Sequence, residues 1–301
     1  LFVLYNVGIK NEEVFFMSEI KKKKIPNILV FTKSDLIADK DFEYPDGIFV
    51  SVKDKDSIEA LKKKIIEILS KTAPEEQTMI GDLLPKGSTV VMVVPIDSEA
   101  PKGRLILPQV QLIRDCLDHG IKSIVVRDTE LKEALEEFKR IDLVVTDSQA
   151  FDFVSSVVPK NIELTSFSML MAKMKGDINS FISGARAIEG LNDGSRILMA
   201  EACTHNTSHE DIGRVKIPRL LKRYTGKNLI FDFYAYRDFP ENITDYDLVI
   251  HCGGCMINSR SMANRIEFCT ENGVPITNYG VVLAYVNGIT NRACEIFGRC
   301  L

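Results

Sequence analysis

Two strand-like apolar segments that end in metal-binding side chains constrain this fold most strongly. The segments are residues 197–200 and 248–250, and polar residues follow each of them. These polar stretches contain three cysteines and two histidines: Cys203, His205, His251, Cys252 and Cys255. Open α/β sheets hold their ligands in the crevice at the carboxyl ends of the strands. The pattern therefore predicts an α/β fold with a metal or redox site at the ends of these two strands.

The second segment carries its cysteines at the spacing Cys-x-x-Cys, with Gly253 and Gly254 between them. Glycine leaves the backbone free to turn closely around an ion or a cluster. Cys252 and Cys255 can therefore direct both sulfurs to one metal centre.

Strand-like runs alternate with amphipathic helices along the whole chain. This alternation predicts an α/β fold, and in the middle unit it predicts a doubly wound, mostly parallel sheet with helices on both faces. Residues 72–77 have the composition of a linker. The sequence predicts three consecutive units, at residues 1–72, 80–168 and 169–301. The second unit has no catalytic motif, which favours a structural role such as dimer formation. Residues 169–191 are expected to form one long helical stretch, and no internal repeat is evident.

Composition excludes several classes of protein. The chain has 301 residues, of which 45% are hydrophobic and 27% charged, and its net charge is -4. We therefore expect no nucleic-acid partner. No apolar run is long enough to cross a membrane, so we expect no membrane partner either. Seven cysteines in a chain of this length favour a cytoplasmic metal or redox site over a disulfide scaffold. Because the sequence begins with Leu1, we expect it to be part of a longer protein.

Thr32, Lys33, Ser34 and Asp35 follow the strand-like residues 27–31 and match the [NT]KxD pattern with which P-loop GTPases recognise guanine. The carboxylate in this pattern accepts two hydrogen bonds from the guanine edge, and the lysine stem lies over the base. Ser51 ends the next strand, where that family places a backbone contact to the guanine oxygen. A simple polar turn is the alternative. The phosphate-binding pattern GxxxxGK[ST] is absent, so these residues predict base recognition without phosphoryl transfer.

The cysteine and histidine candidates fit two kinds of metal centre. Zinc takes four ligands in a closed tetrahedron, and a Cys3His set is available. Iron–sulfur clusters favour thiolates, and three thiolates would leave one iron with an exchangeable ligand. Glu201 shares a strand face with Cys203, because side chains two apart in a strand point the same way. Its carboxylate is thus a possible weak fourth ligand, and His205 and His251 are candidates for ligation or for hydrogen bonds to the sulfurs.

The remaining sulfur-containing residues carry weaker signals. Cys116 and Cys269 fall in amphipathic helices and are expected in the core, whereas Cys294 and Cys300 lie in a C-terminal tail and receive no role. Three methionines between residues 169 and 174 are expected to pack in the core or an interface.

These motifs together resemble the HydF family of iron-only hydrogenase maturation GTPases. That family carries a C-x-H motif, a long spacer and then H-C-x-x-C. Here the motifs are Cys203-Thr204-His205 and His251-Cys252-Gly253-Gly254-Cys255, with a spacer of roughly the family's length. The upstream Thr32-Lys33-Ser34-Asp35 agrees with the family's guanine motif. The resemblance extends over essentially the whole chain.

The resemblance implies a GTPase domain whose phosphate-binding front part is missing here, then a dimerisation domain, then a small α/β iron–sulfur domain. It implies a 4Fe-4S cluster on Cys203, Cys252 and Cys255, and GTP with magnesium in the full-length protein. It further implies a homodimeric scaffold or carrier that receives a transient di-iron precursor. The implied partners are two radical-SAM hydrogenase maturases and the apo iron-only hydrogenase.

Two other functions remain open on the residues alone. One is a zinc-stabilised regulatory GTPase without a cluster. The other is an oxidoreductase that uses Cys252 and Cys255 as a redox dithiol, for which a Cys-x-x-Cys that opens a helix would be the structural sign.

Overall fold

A computed structural model describes residues 2–5, 11–22, 25–36, 47–72, 77–96, 103, 105–202, 212–235 and 239–298. The side chains of residues 2–5, 11–13, 22, 71 and 72 fall outside this description. The chain divides into two compact units, residues 1–76 and 77–301. Within the described ranges, no helix has the length and apolar character needed to span a membrane.

The first unit contains a parallel sheet of three strands in the order β1–β2–β3. Its elements are β1 (Phe2–Tyr5), α1 (Asn11–Lys22), β2 (Ile28–Thr32), β3 (Ile48–Val50) and α2 (Lys55–Thr72). The amphipathic helix α2 packs its apolar stripe on one face of β2 and β3. The stripe consists of Ile58, Leu61, Ile65 and Ile68.

The second unit contains two four-stranded sheets, and every pair of strands in them is parallel. The first of these sheets has the order β5–β4–β6–β7. Its strands and helices are β4 (Thr89–Val93), α3 (Leu107–Asp118), β5 (Lys122–Val126), α4 (Leu131–Glu137), β6 (Leu143–Thr146), α5 (Phe151–Val157), β7 (Glu163–Ser166) and α6 (Phe167–Lys175).

The second of these sheets has the order β9–β8–β10–β11. It is preceded by α7 (Ile178–Ala185). The other elements are β8 (Arg196–Glu201), α8 (Ile217–Thr225), β9 (Ile230–Ala235), β10 (Leu248–His251), α9 (Ser259–Glu271), β11 (Ile276–Asn278), α10 (Tyr279–Val286) and α11 (Thr290–Cys294). One turn of π-helix, Ile212–Lys216, leads into α8. The predicted α/β class with parallel sheets is confirmed.

The two four-stranded sheets repeat one topology, although no internal repeat is evident in the sequence. In the first sheet the chain forms the inner strand β4, adds the edge strand β5 on one side of it, and then adds β6 and β7 on the other side. In the second sheet β8, β9, β10 and β11 follow the same order. Matching hydrogen bonds support the equivalence. The Asp142 carboxylate accepts from the Thr89 amide at 2.8 Å, and the Asp247 carboxylate accepts from the Arg196 amide at 2.8 Å. The strand order therefore reverses twice, once in each sheet, beside β4 and beside β8.

The helical stretch expected over residues 169–191 is helical but divided into separate helices. Helix α6 ends at Lys175, and the Asp177 side chain accepts a hydrogen bond from the Asn179 amide to begin α7. Gly176 and Asp177 thus supply a stop and a new N-cap, which is the usual role of aspartate at that position. The short helix α11 was also not predicted, and its Cys294 is buried.

One continuous apolar core joins the two sheets of the second unit. It contains Val91 and Val144 of the first sheet together with Leu198 and Val249 of the second. A second cluster covers the other face of the first sheet and includes Cys116 and Met171. The cores also contain Cys269 and Met169, so the predicted burial of both helical cysteines and of these methionines is confirmed.

Gly184 of α7 provides a sharp test of the packing between this helix and β11. A Cβ atom at Gly184 would lie 1.9 Å from the carbonyl oxygen of Ile276. We expect Gly184→Ala to lower the free energy of unfolding by about 1–3 kcal/mol, because the backbone would have to shift. Urea denaturation measures this change.

Gly190 is the matched control, because a Cβ there has nothing within 4 Å. Gly190→Ala should stay within about 0.5 kcal/mol of the wild type. Equal stability of the two variants would contradict the close approach of α7 to β11.

Candidate functional site

The carboxyl ends of β8 and β10 lie side by side where the strand order of the second sheet reverses. The two strands pair in register, with His251 opposite Ala200. The pairing continues one residue further, because the Cys252 amide donates to the Ala200 carbonyl at 3.0 Å. Reversal points of this kind are where open α/β sheets form ligand crevices. The structure thus puts Glu201 and Cys252, from the two predicted segments, at one crevice.

The sulfur of Cys252 is held by backbone amides of both segments. Its Sγ accepts from the Ala202 amide at 3.0 Å and from the Gly254 amide at 3.4 Å. Cys252 is 7% exposed, whereas Cys255 is half-buried. Amide donors of this kind stabilise negative charge on a sulfur, so the environment of Cys252 suits a thiolate ligand.

Gly254, the second glycine between the cysteines, is required by the path of the loop. Gly254 has a left-handed φ of 64°, and a Cβ there would lie 2.6 Å from Cε of Met262. A Cβ at Gly253 would lie 3.8 Å from Sγ of Cys255, which is an ordinary contact distance, so this position tolerates a side chain. A side chain at position 254 would strain the turn between the two cysteines.

His251 is fully buried and uses both ring nitrogens. Its Nε2 lies 2.7 Å from Nη1 of Arg265, and its Nδ1 lies 2.7 Å from the carbonyl oxygen of Cys252. Because a guanidinium only donates, Nε2 accepts and Nδ1 donates. In this arrangement His251 supports the backbone of Cys252 and is not placed as a ligand.

Arg265 of α9 brings a buried positive charge to the crevice. Burial lowers the pKa of its guanidinium, and attraction to the Cys252 sulfur acts in the opposite direction. The guanidinium also lies 5.0 Å from the centre of the Phe239 ring. Sequence analysis missed Arg265, although it interrupts the apolar stripe of α9 formed by Met262, Ile266 and Cys269. A charged residue within an apolar stripe was the sequence signal that could have identified Arg265.

Glu201 ends β8 but is engaged by another cation. Both of its carboxylate oxygens accept from the guanidinium of Arg214, at distances of 2.9–3.3 Å. Arg214 in turn lies over the ring of Phe233. Glu201 would therefore have to leave Arg214 before it could bind a metal. Its role as a fourth ligand stays a prediction.

Cys203 and His205, two of the predicted ligands, lie outside the described residues. Among the residues that the structure does describe, no group of three or more histidine, cysteine or acidic side chains is placed to hold a metal ion. Ala202, which precedes Cys203 in the sequence, donates to the Cys252 sulfur. The donor chemistry of Cys252 and Cys255 fits two ligands of either an iron–sulfur or a zinc centre, to which further ligands would have to be added.

The predicted guanine site lies in the first unit, at the ends of β2 and β3. Oδ1 of Asp35 accepts from Oγ of Ser51 at 2.6 Å, and its Oδ2 pairs with Nζ of Lys53 at 2.7 Å. These hydrogen bonds, that from Lys53 first, lower the pKa of Asp35 to about 2, so the carboxylate is ionised at neutral pH. Lys33 follows Thr32 with a left-handed φ of 55°, a conformation that non-glycine residues avoid unless the surroundings enforce it. Guanine recognition by these residues stays a prediction.

Comparison with known protein families gives two matches in the second unit. The hydrogen maturase F dimerization domain matches residues 79–176, which contain β4 to β7. The hydrogen maturase F tetramerization domain matches residues 179–296, which contain β8 to β11 and the Cys-x-x-Cys loop. A comparison with curated proteins finds no match. The resemblance drawn from the sequence is confirmed.

Asp35 allows a test of base recognition that needs no phosphate contact. We expect guanosine to bind the chain more tightly than adenosine. Asp35→Asn should weaken guanosine binding by about tenfold or more, because the guanine edge loses a charged acceptor. Isothermal titration with the two nucleosides measures both effects.

The exposed Asp56, in the first turn of α2, offers a control. Asp56→Asn should bind guanosine like the wild type. Equal affinity of Asp35→Asn and wild type for guanosine would contradict the assignment.

Proposed function

Because the chain belongs to the hydrogen maturase F family, we propose that it is a scaffold in hydrogenase maturation that carries a 4Fe-4S cluster. Cys203, Cys252 and Cys255 are the proposed ligands. The observation that carries the proposal is the environment of Cys252. Its sulfur accepts hydrogen bonds from two backbone amides, and the buried cation of Arg265 is close enough to attract it.

The neighbouring side chains favour an exchangeable fourth position. His251 uses both ring nitrogens in hydrogen bonds, and Glu201 is held by Arg214. Neither is placed to complete a closed four-ligand shell. When bound, such a cluster supplies one iron whose remaining ligand can be replaced. We propose that this position receives the di-iron precursor before its transfer to the apo-hydrogenase, with the radical-SAM maturases as the donors of the precursor.

A dithiol oxidoreductase is the weaker alternative on the geometry. In redox Cys-x-x-Cys sites the first cysteine lies at a helix N-terminus, which lowers its pKa. Here α9 begins at Ser259, after the whole motif, and Asn258 caps it by accepting from the Ser261 amide. The helix N-terminus is therefore used by its own cap and not by either thiol. This argument does not apply to a zinc centre. Metal analysis distinguishes a zinc centre from an iron–sulfur cluster.

We further propose that GTP modulates the scaffold by binding at the predicted guanine site around Asp35, at the ends of β2 and β3 in the first unit. The Asp35 carboxylate is held in place by Ser51 and Lys53 and is ready to accept hydrogen bonds. The given sequence has no GxxxxGK[ST] pattern, so GTP hydrolysis is not assigned to these residues.

Replacement of single cysteines tests the cluster most directly. Cys203→Ser, Cys252→Ser and Cys255→Ser should each lower bound iron and bleach the visible absorbance, because each removes a thiolate. Replacement of Glu201, His205 or His251 should leave the cluster largely assembled and change the electron paramagnetic resonance of its reduced form. Iron and sulfide analysis after anaerobic reconstitution gives the result.

Cys116→Ser and Cys269→Ser are the controls, because burial raises the pKa of both thiols to about 12 and both lie in the core. They should keep full iron. Full iron in all three ligand variants, or stoichiometric zinc in the wild type, would overturn the proposal.

We also propose that two copies associate through α3 and the edge strand β5. Helix α3 exposes an apolar stripe of Leu107, Val110 and Leu117, and β5 exposes Val125 at the edge of its sheet. These residues lie within the part matched by the dimerization domain. A second copy that covers this face would remove the apolar side chains from water.

Val110→Asp should therefore disrupt the association, because it puts a charge in the middle of the apolar stripe. Light scattering should show a particle mass half that of the wild type. Val52→Asp, at an exposed apolar position of the first unit, should leave the mass unchanged. An unchanged mass for Val110→Asp would show that copies meet elsewhere.

A further inference from the structure

The last residue of α6 binds the Cys-x-x-Cys loop from the other matched domain. Nζ of Lys175 lies 2.9 Å from each of three carbonyl oxygens, those of Gly254, Cys255 and Ile257. We propose that Lys175 is a positioning residue, which fixes this loop and makes the metal site depend on the dimerization domain. The inference rests on the proposed function of Cys255 as a ligand.

Lys175 directs several hydrogen bonds to one short loop. Its ammonium carries three N–H donors, and the carbonyls of Gly254, Cys255 and Ile257 all lie within hydrogen-bond distance of it. The Gly254 carbonyl accepts a further bond from the Ile257 amide at 3.2 Å, which closes the turn. This backbone hydrogen bond closes the turn, and Lys175 at the end of α6 reinforces it.

The direction of these carbonyls determines where the loop amides point. All peptide bonds in the described residues are trans, so each N–H points away from the carbonyl in the same peptide plane. Carbonyls of Gly254 and Cys255 gathered on Lys175 therefore turn the amides of Cys255 and Met256 away from it. Amide donors near the sulfurs are one means by which proteins set the properties of an iron–sulfur cluster.

Packing ties Cys255 to the same domain. Its side chain packs against the apolar cluster on the outer face of the first four-stranded sheet, together with Met174 of α6. Cys252, in contrast, follows β10 of the second sheet. The two thiols of one motif are therefore anchored in different matched domains. Helix α6 also packs against α3, which carries the proposed dimer stripe.

Lys173 provides a matched control on the same turn of α6. Its Nζ donates to the Thr78 carbonyl at 3.1 Å and pairs with Asp82, and neither group belongs to the loop. Lys173→Met and Lys175→Met remove the same charge from the same helix. Only the second removes the contacts to the Cys-x-x-Cys loop.

The test compares the wild type, Lys175→Met, Lys175→Arg and Lys173→Met as full chains. In the metal-free proteins, hydrogen exchange of residues 253–258 should be severalfold faster in Lys175→Met than in the wild type or Lys173→Met. After reconstitution, Lys175→Met should lose iron to a chelator severalfold faster and show an altered electron paramagnetic resonance. Lys175→Arg should restore both properties in part, because it still donates to the carbonyls.

The outcomes separate this inference from the proposed function. If the wild type assembles no cluster, the proposed function fails, while the exchange measurement still decides whether Lys175 anchors the loop. If Lys175→Met matches Lys173→Met in both exchange and iron loss, the inference about Lys175 is overturned. Thermal unfolding of each variant identifies a general loss of the fold. If Lys175→Met has lost its fold, Lys175→Arg replaces it in the test. The loop of Lys175→Arg must then exchange hydrogen faster than the loop of the wild type for the inference to stand.

Discussion

The structure of the site depends on the parallel pairing of β8 and β10 at the reversal of strand order. This pairing brings the end of each strand to the same crevice, and it continues through the Cys252 amide to the Ala200 carbonyl. The Ala202 amide can then reach the Cys252 sulfur at 3.0 Å. Without this register the Ala202 amide and the Cys252 sulfur, which are 50 residues apart in sequence, would not meet. The side chains of residues 197–200 and 248–251 are buried on both faces of the sheet. They hold the register, because a slip by one residue would exchange side chains of different size and polarity between two closely packed faces.

Positive charge surrounds the thiol loop on two sides. Arg265 approaches Cys252 through His251, and Lys175 holds the carbonyl of Cys255 from α6. Cations with their charge directed to a small loop favour an occupant that is negative overall. A cluster held by thiolates has that character, so the electrostatics of the site favour the proposed cluster. The acidic candidate at the crevice, Glu201, is neutralised separately by its own ion pair.

Sequence patterns predicted the α/β class, most strands and the position of the Cys-x-x-Cys motif directly after β10, because these depend on local apolar runs and on spacing. They did not predict Lys175, which lies 80 residues from Cys255 and carries no local signal. The contact of Asp35 with Lys53 was also missed, since surface ion pairs depend on side-chain placement. The repeated topology of the two sheets could not be predicted from the sequence, because no sequence period accompanies it. The two sheets share their strand order and a matching hydrogen bond from a strand amide to an aspartate carboxylate.

The central claim is that the Cys-x-x-Cys loop and Cys203 hold an iron–sulfur cluster. The most direct measurement is the iron, acid-labile sulfide and zinc content of the protein purified without oxygen, with its visible absorption spectrum. The account predicts about four iron and four sulfide per chain, with broad visible absorption. One zinc per chain in a colourless protein, with neither iron nor sulfide, would contradict it.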